Sequence, residues 1–255
     1  MSLKAAIAGG LGGLLFLALA GTVLAAAPPP VVINEIQYHP ASDDHAEEYI
    51  ELYNTGSITL DLSGWRFGDG IHYTFPVSTV ITPGGYLVIG HDPATVAATY
   101  GITGVLGPFE SGRLSNGGER LALEDDAGDL VDEVTYDDHH PWPEAPDGDG
   151  PSLELINPFF DNDSPCSWGS SDGPGTPGRQ NSVYSADNIP PCVSDVSHAP
   201  VIPTSTQTVT VVALVSDNSP HFTVTLHYRP ASASAYLTRP MTGTAAGFYT
   251  ATIPP

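Results

Sequence analysis

Asp147, Asp149, Asp161, Asn162 and Asp163 are the side chains of this sequence best suited to chemistry. They are hard oxygen ligands on a Gly-rich, turn-rich backbone, and calcium takes about six to eight such oxygens from irregular loops. The opening Asp147-Gly148-Asp149-Gly150 starts like a calcium loop but lacks the closing glutamate at the twelfth position. Calcium held between two loops by Asp147, Asp149, Asp161 and Asp163 is one expectation. The other is that these residues bond their own backbone in tight turns, as Asp and Asn do. A metal-dependent hydrolase, if the chain were one, would have to carry its chemistry on this same stretch.

Other candidate groups are less organised. His139-His140 follows Asp137-Asp138, but adjacent side chains on an extended segment point opposite ways, so the run reads as a solvent loop. Cys166 and Cys192 are the two cysteines, and in an exported chain they are expected to form one disulfide. The sequence has no Gly-x-Ser-x-Gly, no His-Glu-x-x-His and no Cys/His pairing. Ser152 has no base nearby in sequence. Asp132 shares a strand face with Leu130, Val134 and Tyr136, so its carboxylate needs a partner there. One reading is a tuned acid; the preferred one is a carboxylate that caps a turn or pairs with an arginine such as Arg120.

The elements that would position these residues read as short strands. Glu47 to Tyr53 alternates, with Glu48, Ile50 and Leu52 on one face and Tyr49, Glu51 and Tyr53 on the other, a half-buried strand. Asn54-Thr55-Gly56 turns the chain, Leu60 and Leu62 restore the alternation as a hairpin partner, and Trp65 is the expected core plug. Val31 to Tyr38 and Tyr86 to Gly90 are further strands, the second fed by the turn Pro83-Gly84-Gly85. Arg66 to Phe75 is a short pair around Gly68-Asp69-Gly70. Leu121 to Leu123 and Leu130 to Tyr136 form a hairpin over Asp125-Asp126-Ala127-Gly128. One helix is expected, over 92–100, with Asp92 as N-cap, Pro93 in the first turn and Gly101 past the end. From Pro141 the chain becomes a long loop with one strand, Ser152 to Ile156. Its aromatics Trp142, Phe159, Phe160 and Trp168 imply that it packs back over one end of the sandwich.

Composition sets the class. Hydrophobics at 41%, with 27 Gly and 25 Pro breaking them into short runs, favour all-β architecture. The formal net charge is −22, and Lys4 is the sole lysine. Such a surface repels phosphate backbones, which disfavours nucleic acid as a partner. Lys4 precedes an apolar run from Ala5 to Ala27 with small residues near Ala25 and Ala26, read as a signal peptide over 1–26. The remainder is then expected to be secreted or at the cell surface, with membrane attachment only if this segment stays uncleaved.

Seven blocks in order carry a family resemblance: INEI at Ile33, EEYIELYN at Glu47, LDLSGW at Leu60, PGGYLVI at Pro83, LSNGGERLAL at Leu114, DGDGPSLEL at Asp147 and GTPGRQN at Gly175. Over about residues 31–184 the chain resembles the lamin tail domain in its bacterial, secreted form. The resemblance implies an immunoglobulin-like β-sandwich and brings no catalytic residues with it. Nuclear lamin tails bind protein partners, but the acidic, export-type composition here departs from theirs.

Residues 185–192 read as a linker. Val193 to His198, Thr208 to Val215, Phe222 to Arg229 and Gly247 to Ile253 follow as strands, with Asp217-Asn218-Ser219 as a turn. This stretch, 193–255, resembles part of a bacterial immunoglobulin-like or fibronectin-type module, incomplete where the sequence stops at Pro255. The expected function is a secreted or cell-surface, non-catalytic binding module making protein or glycan contacts. The alternative is an accessory region of a larger secreted enzyme, a nuclease or other hydrolase.

Overall fold

A computed structural model describes residues 30–187, 191–217, 222–231, 233–244 and 247–255. The expected signal segment lies outside the described residues, as do Asn218 and Ser219 of the expected turn.

The first ten strands are β1 (Val31–Gln37), β2 (Tyr49–Asn54), β3 (Leu60–Asp61), β4 (Arg66–Asp69), β5 (Tyr73–Thr74), β6 (Val80–Ile81), β7 (Tyr86–Gly90), β8 (Glu119–Glu124), β9 (Leu130–Tyr136) and β10 (Leu153–Leu155), followed by β11 (Trp168–Ser170). They build two main antiparallel sheets, in the orders β11-β10-β1-β2-β7 and β5-β4-β8-β9. Between them lies one apolar core that includes Ile33, Ile36, Ile50, Leu52, Phe67, Leu121, Leu123, Val134, Leu153 and Leu155. The chain is thus an all-β, immunoglobulin-like sandwich. One helix, α1 (Pro93–Tyr100), has Asp92 accepting from the Thr95 amide and Gly101 in the left-handed region at φ 66°. These are the caps that stop a helix where the sequence places them.

Three sequence expectations need correction. The turn at Asn54 does not lead into a hairpin, because β2 pairs with β1 and β7 while β3 pairs with β6. Asn54 donates from its side-chain amide to the Ile58 and Ile81 carbonyls and so turns the chain off the sheet. Nor is β2 half-buried. Tyr49, Ile50, Glu51, Leu52 and Asn54 are all buried, because the central strand is covered on both faces. Trp65 only flanks the core, which Phe67, Phe75 and Tyr136 fill instead.

The long segment after Pro141 contributes two strands rather than one, since both β10 and β11 join the large sheet. Its part 171–183 lies over a face of that sheet, while Asp147 and Gly148 meet His39 just beyond the end of β1. Trp142 and Trp168 are buried against each other at 6.1 Å between ring centroids, whereas Phe159 remains 58% exposed. Cys166 and Cys192 form the expected disulfide.

Six strands follow: β12 (Cys192–Ala199), β13 (Val209–Ser216), β14 (Thr225–Tyr228), β15 (Leu237–Pro240), β16 (Thr242–Gly243) and β17 (Phe248–Ile253). They form a sheet ordered β12-β13-β17-β16 and a separate pair, β14-β15. The sequence reading missed β15 and β16. Val196, Tyr236, Leu237 and Phe248 are exposed here, in contrast to the closed core of the sandwich.

Candidate functional site

The expected cation ligands are dispersed. Asp147 places Oδ1 at 2.6 Å from His39 Nδ1, and Asp149 is exposed. Asp161 accepts the Asp163 amide at 3.1 Å within one turn. Asn162 turns inward, donating to Asp132 Oδ2 at 2.8 Å while its carbonyl accepts from Trp168 Nε1. No three of Asp147, Asp149, Asp161 and Asp163 bring carboxylate oxygens within 4.8 Å of one another. The set that does so among the described residues is Asp137, Asp138 and His139, the segment read as a solvent loop, with His139 exposed.

Asp132 is 6% exposed and finds partners other than Arg120. Its Oδ2 accepts from the Ile33 amide at 2.7 Å and from Asn162, joining the two sheets and the loop. Arg120 instead pairs with Asp69 and Glu133 on the surface, where its charge keeps its hydration. Burial is the main cause that pushes the Asp132 carboxyl up to about 7.

The most unusual chemistry lies on the outer face of the large sheet. Alternation sends Ile50 and Leu52 inward and Tyr49 and Glu51 outward, and a bulge after Ile33 sets the same phase for Glu35 on β1. Glu35 then lies opposite Glu51 on one side and Glu154 on the other. All three carboxylates are fully buried. Residues 171–183 form a strap over them. The Thr176 amide donates to Glu35 Oε1 at 2.8 Å, and its hydroxyl to Glu154 Oε1 at 2.6 Å. The Gly178 amide donates to Glu51 at 2.5 Å, and Ser182 and Val183 donate to Glu154 Oε2. Asn181 interlocks with Asn34 through amide bonds of 2.8 and 2.9 Å. Gly175 makes this approach possible: a Cβ there would sit 2.3 Å from the Tyr49 hydroxyl.

Where the strap ends it borders a surface slot. Tyr53, Tyr86, Phe159 and Tyr184 surround about 80 Å³ together with the amides of Gln180 and Asn181. The Tyr53 and Tyr86 rings lie 4.9 Å apart, and Tyr184 is 40% exposed. A larger groove of about 690 Å³ begins on the other side of Tyr86, lined by Val80, Leu87, Ile102, Leu106 and the strap's Gly178. Burial, then Tyr53, raises the Tyr86 hydroxyl to about 12, so it stays a neutral donor at physiological pH. Sequence reasoning overlooked this surface because its residues come from four separate segments. Tyr53 was legible only as one of the residues sharing a strand face with Tyr49 and Glu51, and Tyr86 only as the first residue of a strand.

A family model described as Lamin Tail Domain matches residues 25–138. The match ends before β10, β11 and the strap, which complete the large sheet and its cover. No curated protein matches the chain.

Proposed function

We propose that this chain is an exported, non-catalytic binding module that holds an extracellular protein or glycan along the slot and groove beside β7. The observation that carries the reading is the slot itself: two partly exposed aromatic side chains, Phe159 and Tyr184, converge with Tyr53 and Tyr86 beside the exposed amide of Gln180. Aromatic faces take apolar or sugar surfaces, and amides fix their orientation by hydrogen bonds. The groove beyond Tyr86 extends the same surface, which suits an extended chain better than a compact ligand. A disulfide suits an oxidising compartment outside the cytoplasm. Among the described residues no helix is long and apolar enough to cross a membrane. The net charge of −22 works against anionic polymers, nucleic acids included.

Isothermal titration of the whole chain against neutral oligosaccharides and proline-rich peptides tests the reading. Binding by one of these classes is expected, weakened about tenfold by Phe159→Ala or Tyr184→Ala. Binding that ignores both substitutions would place the ligand elsewhere, and no binding by either class would count against the reading.

A further inference from the structure

The outer face of the large sheet gathers three buried glutamates from three adjacent strands without a cation. Among the described residues, no arginine, lysine or histidine forms an ion pair with Glu35, Glu51 or Glu154. Three buried negative charges side by side would repel one another at low local dielectric. The hydrogen bonds indicate which one is relieved. Glu51 takes donors on both oxygens, from Asn34 and Gly178. Glu154 does too, from Thr176, Ser182 and Val183. Glu35, the central one, crowds Tyr49, Ser152 and Thr176 onto Oε1, and its buried Oε2 has no partner. A charged oxygen buried without a donor is costly, and a protonated carboxyl removes the charge.

We propose that Glu35 is the proton-binding site of a latch: its neutral form seals strap 171–183 onto the sheet, and its ionisation loosens the strap together with the slot that the strap completes.

Of the groups that face Glu35, Glu154 on β10 and Glu51 on β2 favour its neutral form, whereas the hydrogen bonds from Ser152, Tyr49 and Thr176 favour the ion and are outweighed by burial. Tyr100 on α1 packs against Tyr49. The strap offers uncharged donors, while its Arg179 and Asp172 are exposed. Burial is the largest cause that raises Glu35 to about 7, and Glu154 adds to it. Burial and then Glu35 push Glu51 up as well. A carboxyl whose folded value exceeds its unfolded value of 4.5 stabilises the fold fully below pH 4.5. That stabilisation is lost as pH rises through about 7. The latch is independent of which ligand occupies the slot.

Denaturant unfolding of the whole chain at pH 5.5 and 8 tests it. The Glu35 share predicts a folding equilibrium constant roughly 30-fold smaller at the higher pH. Glu35→Gln is expected to remove that share, because glutamine is neutral at both pH values. Asp132→Asn controls for the buried carboxyl on the inner side, which is raised to about 7 as well, and Glu51→Gln controls for the raised neighbour on β2. Carbon-13 NMR of the glutamate carboxyls in the unsubstituted chain reads the site without any substitution and should show Glu35 titrating near neutrality. A Glu35 transition below pH 5 would overturn the proposal. So would a Glu35→Gln variant that keeps the full pH dependence, or one matched by Glu51→Gln alone.

Discussion

The two faces of the β11-β10-β1-β2-β7 sheet come from alternate residues of the same strands, yet they are held by different forces. The inner face presents Ile33, Ile36, Ile50, Leu52, Leu153 and Leu155 to the second sheet. Apolar burial of this kind is non-directional and indifferent to pH, and a titratable group on that side, Asp132, accepts the Ile33 amide. The outer face presents Glu35, Tyr49, Glu51 and Glu154 to a strap that lacks regular secondary structure, so its cohesion rests on directional donors meeting carboxylates. Buried polar layers of this type are stable only when every group is satisfied. A single sheet thus carries an apolar face and a polar one, and the aromatic slot of Tyr53, Tyr86, Phe159 and Tyr184 borders the strap that covers the polar side.

Breaking the inner face should cost most. Leu52→Ala is expected to destabilise the chain by about 2–5 kcal/mol in denaturant unfolding, with little dependence on pH. Gly175→Ala attacks the outer face alone. With φ at 124° and the Tyr49 hydroxyl 2.3 Å from the new Cβ, the strap must shift. The expected cost is about 1–3 kcal/mol, visible also as faster proteolytic cleavage within 171–183. Asp132→Asn sharpens the comparison from the inner side. Asp132 is held at about 7, so its stabilisation is complete below pH 3.8 and is lost as pH rises through 7. The variant should flatten part of the fall in stability between pH 5.5 and 8 without changing strap cleavage. Calcium should have the smallest effect of the four. With Asp147 engaged by His39 and Asp161 closing its own turn, millimolar calcium added after EDTA is expected to leave the melting temperature nearly unchanged. A rise of several degrees, lost in Asp149→Ala or Asp161→Ala, would make the wrap a calcium site.

Much of the apolar face was legible in the sequence. The alternation in β2 assigned Ile50 and Leu52 to one side and Tyr49 and Glu51 to the other, and the helix caps and the Asp125–Gly128 hairpin were local signals that the structure reproduces. What escaped was set by long-range contacts. The strand β3 pairs across the chain with β6, and Asp132 finds the Ile33 amide 99 residues away, so neither is written in a neighbouring residue. Glu35, Glu51 and Glu154 were visible as single charges inside apolar strands. Among 29 acidic residues they carried no distinguishing mark until the register placed them side by side.

Amide hydrogen exchange, corrected for intrinsic base catalysis, compares the two faces directly. The Thr176, Gly178 and Val183 amides report on the strap, and those of Ile50 and Leu52 report on the core. The strap amides are expected to exchange through a separate opening, faster than the core amides. The Glu35 share should make the population of that opening grow roughly 30-fold between pH 5.5 and 8, and this share should be lost in Glu35→Gln. Strap and core amides that exchange at one common rate at both pH values would show that the outer face opens only when the whole sandwich unfolds, and would contradict a separately opening strap.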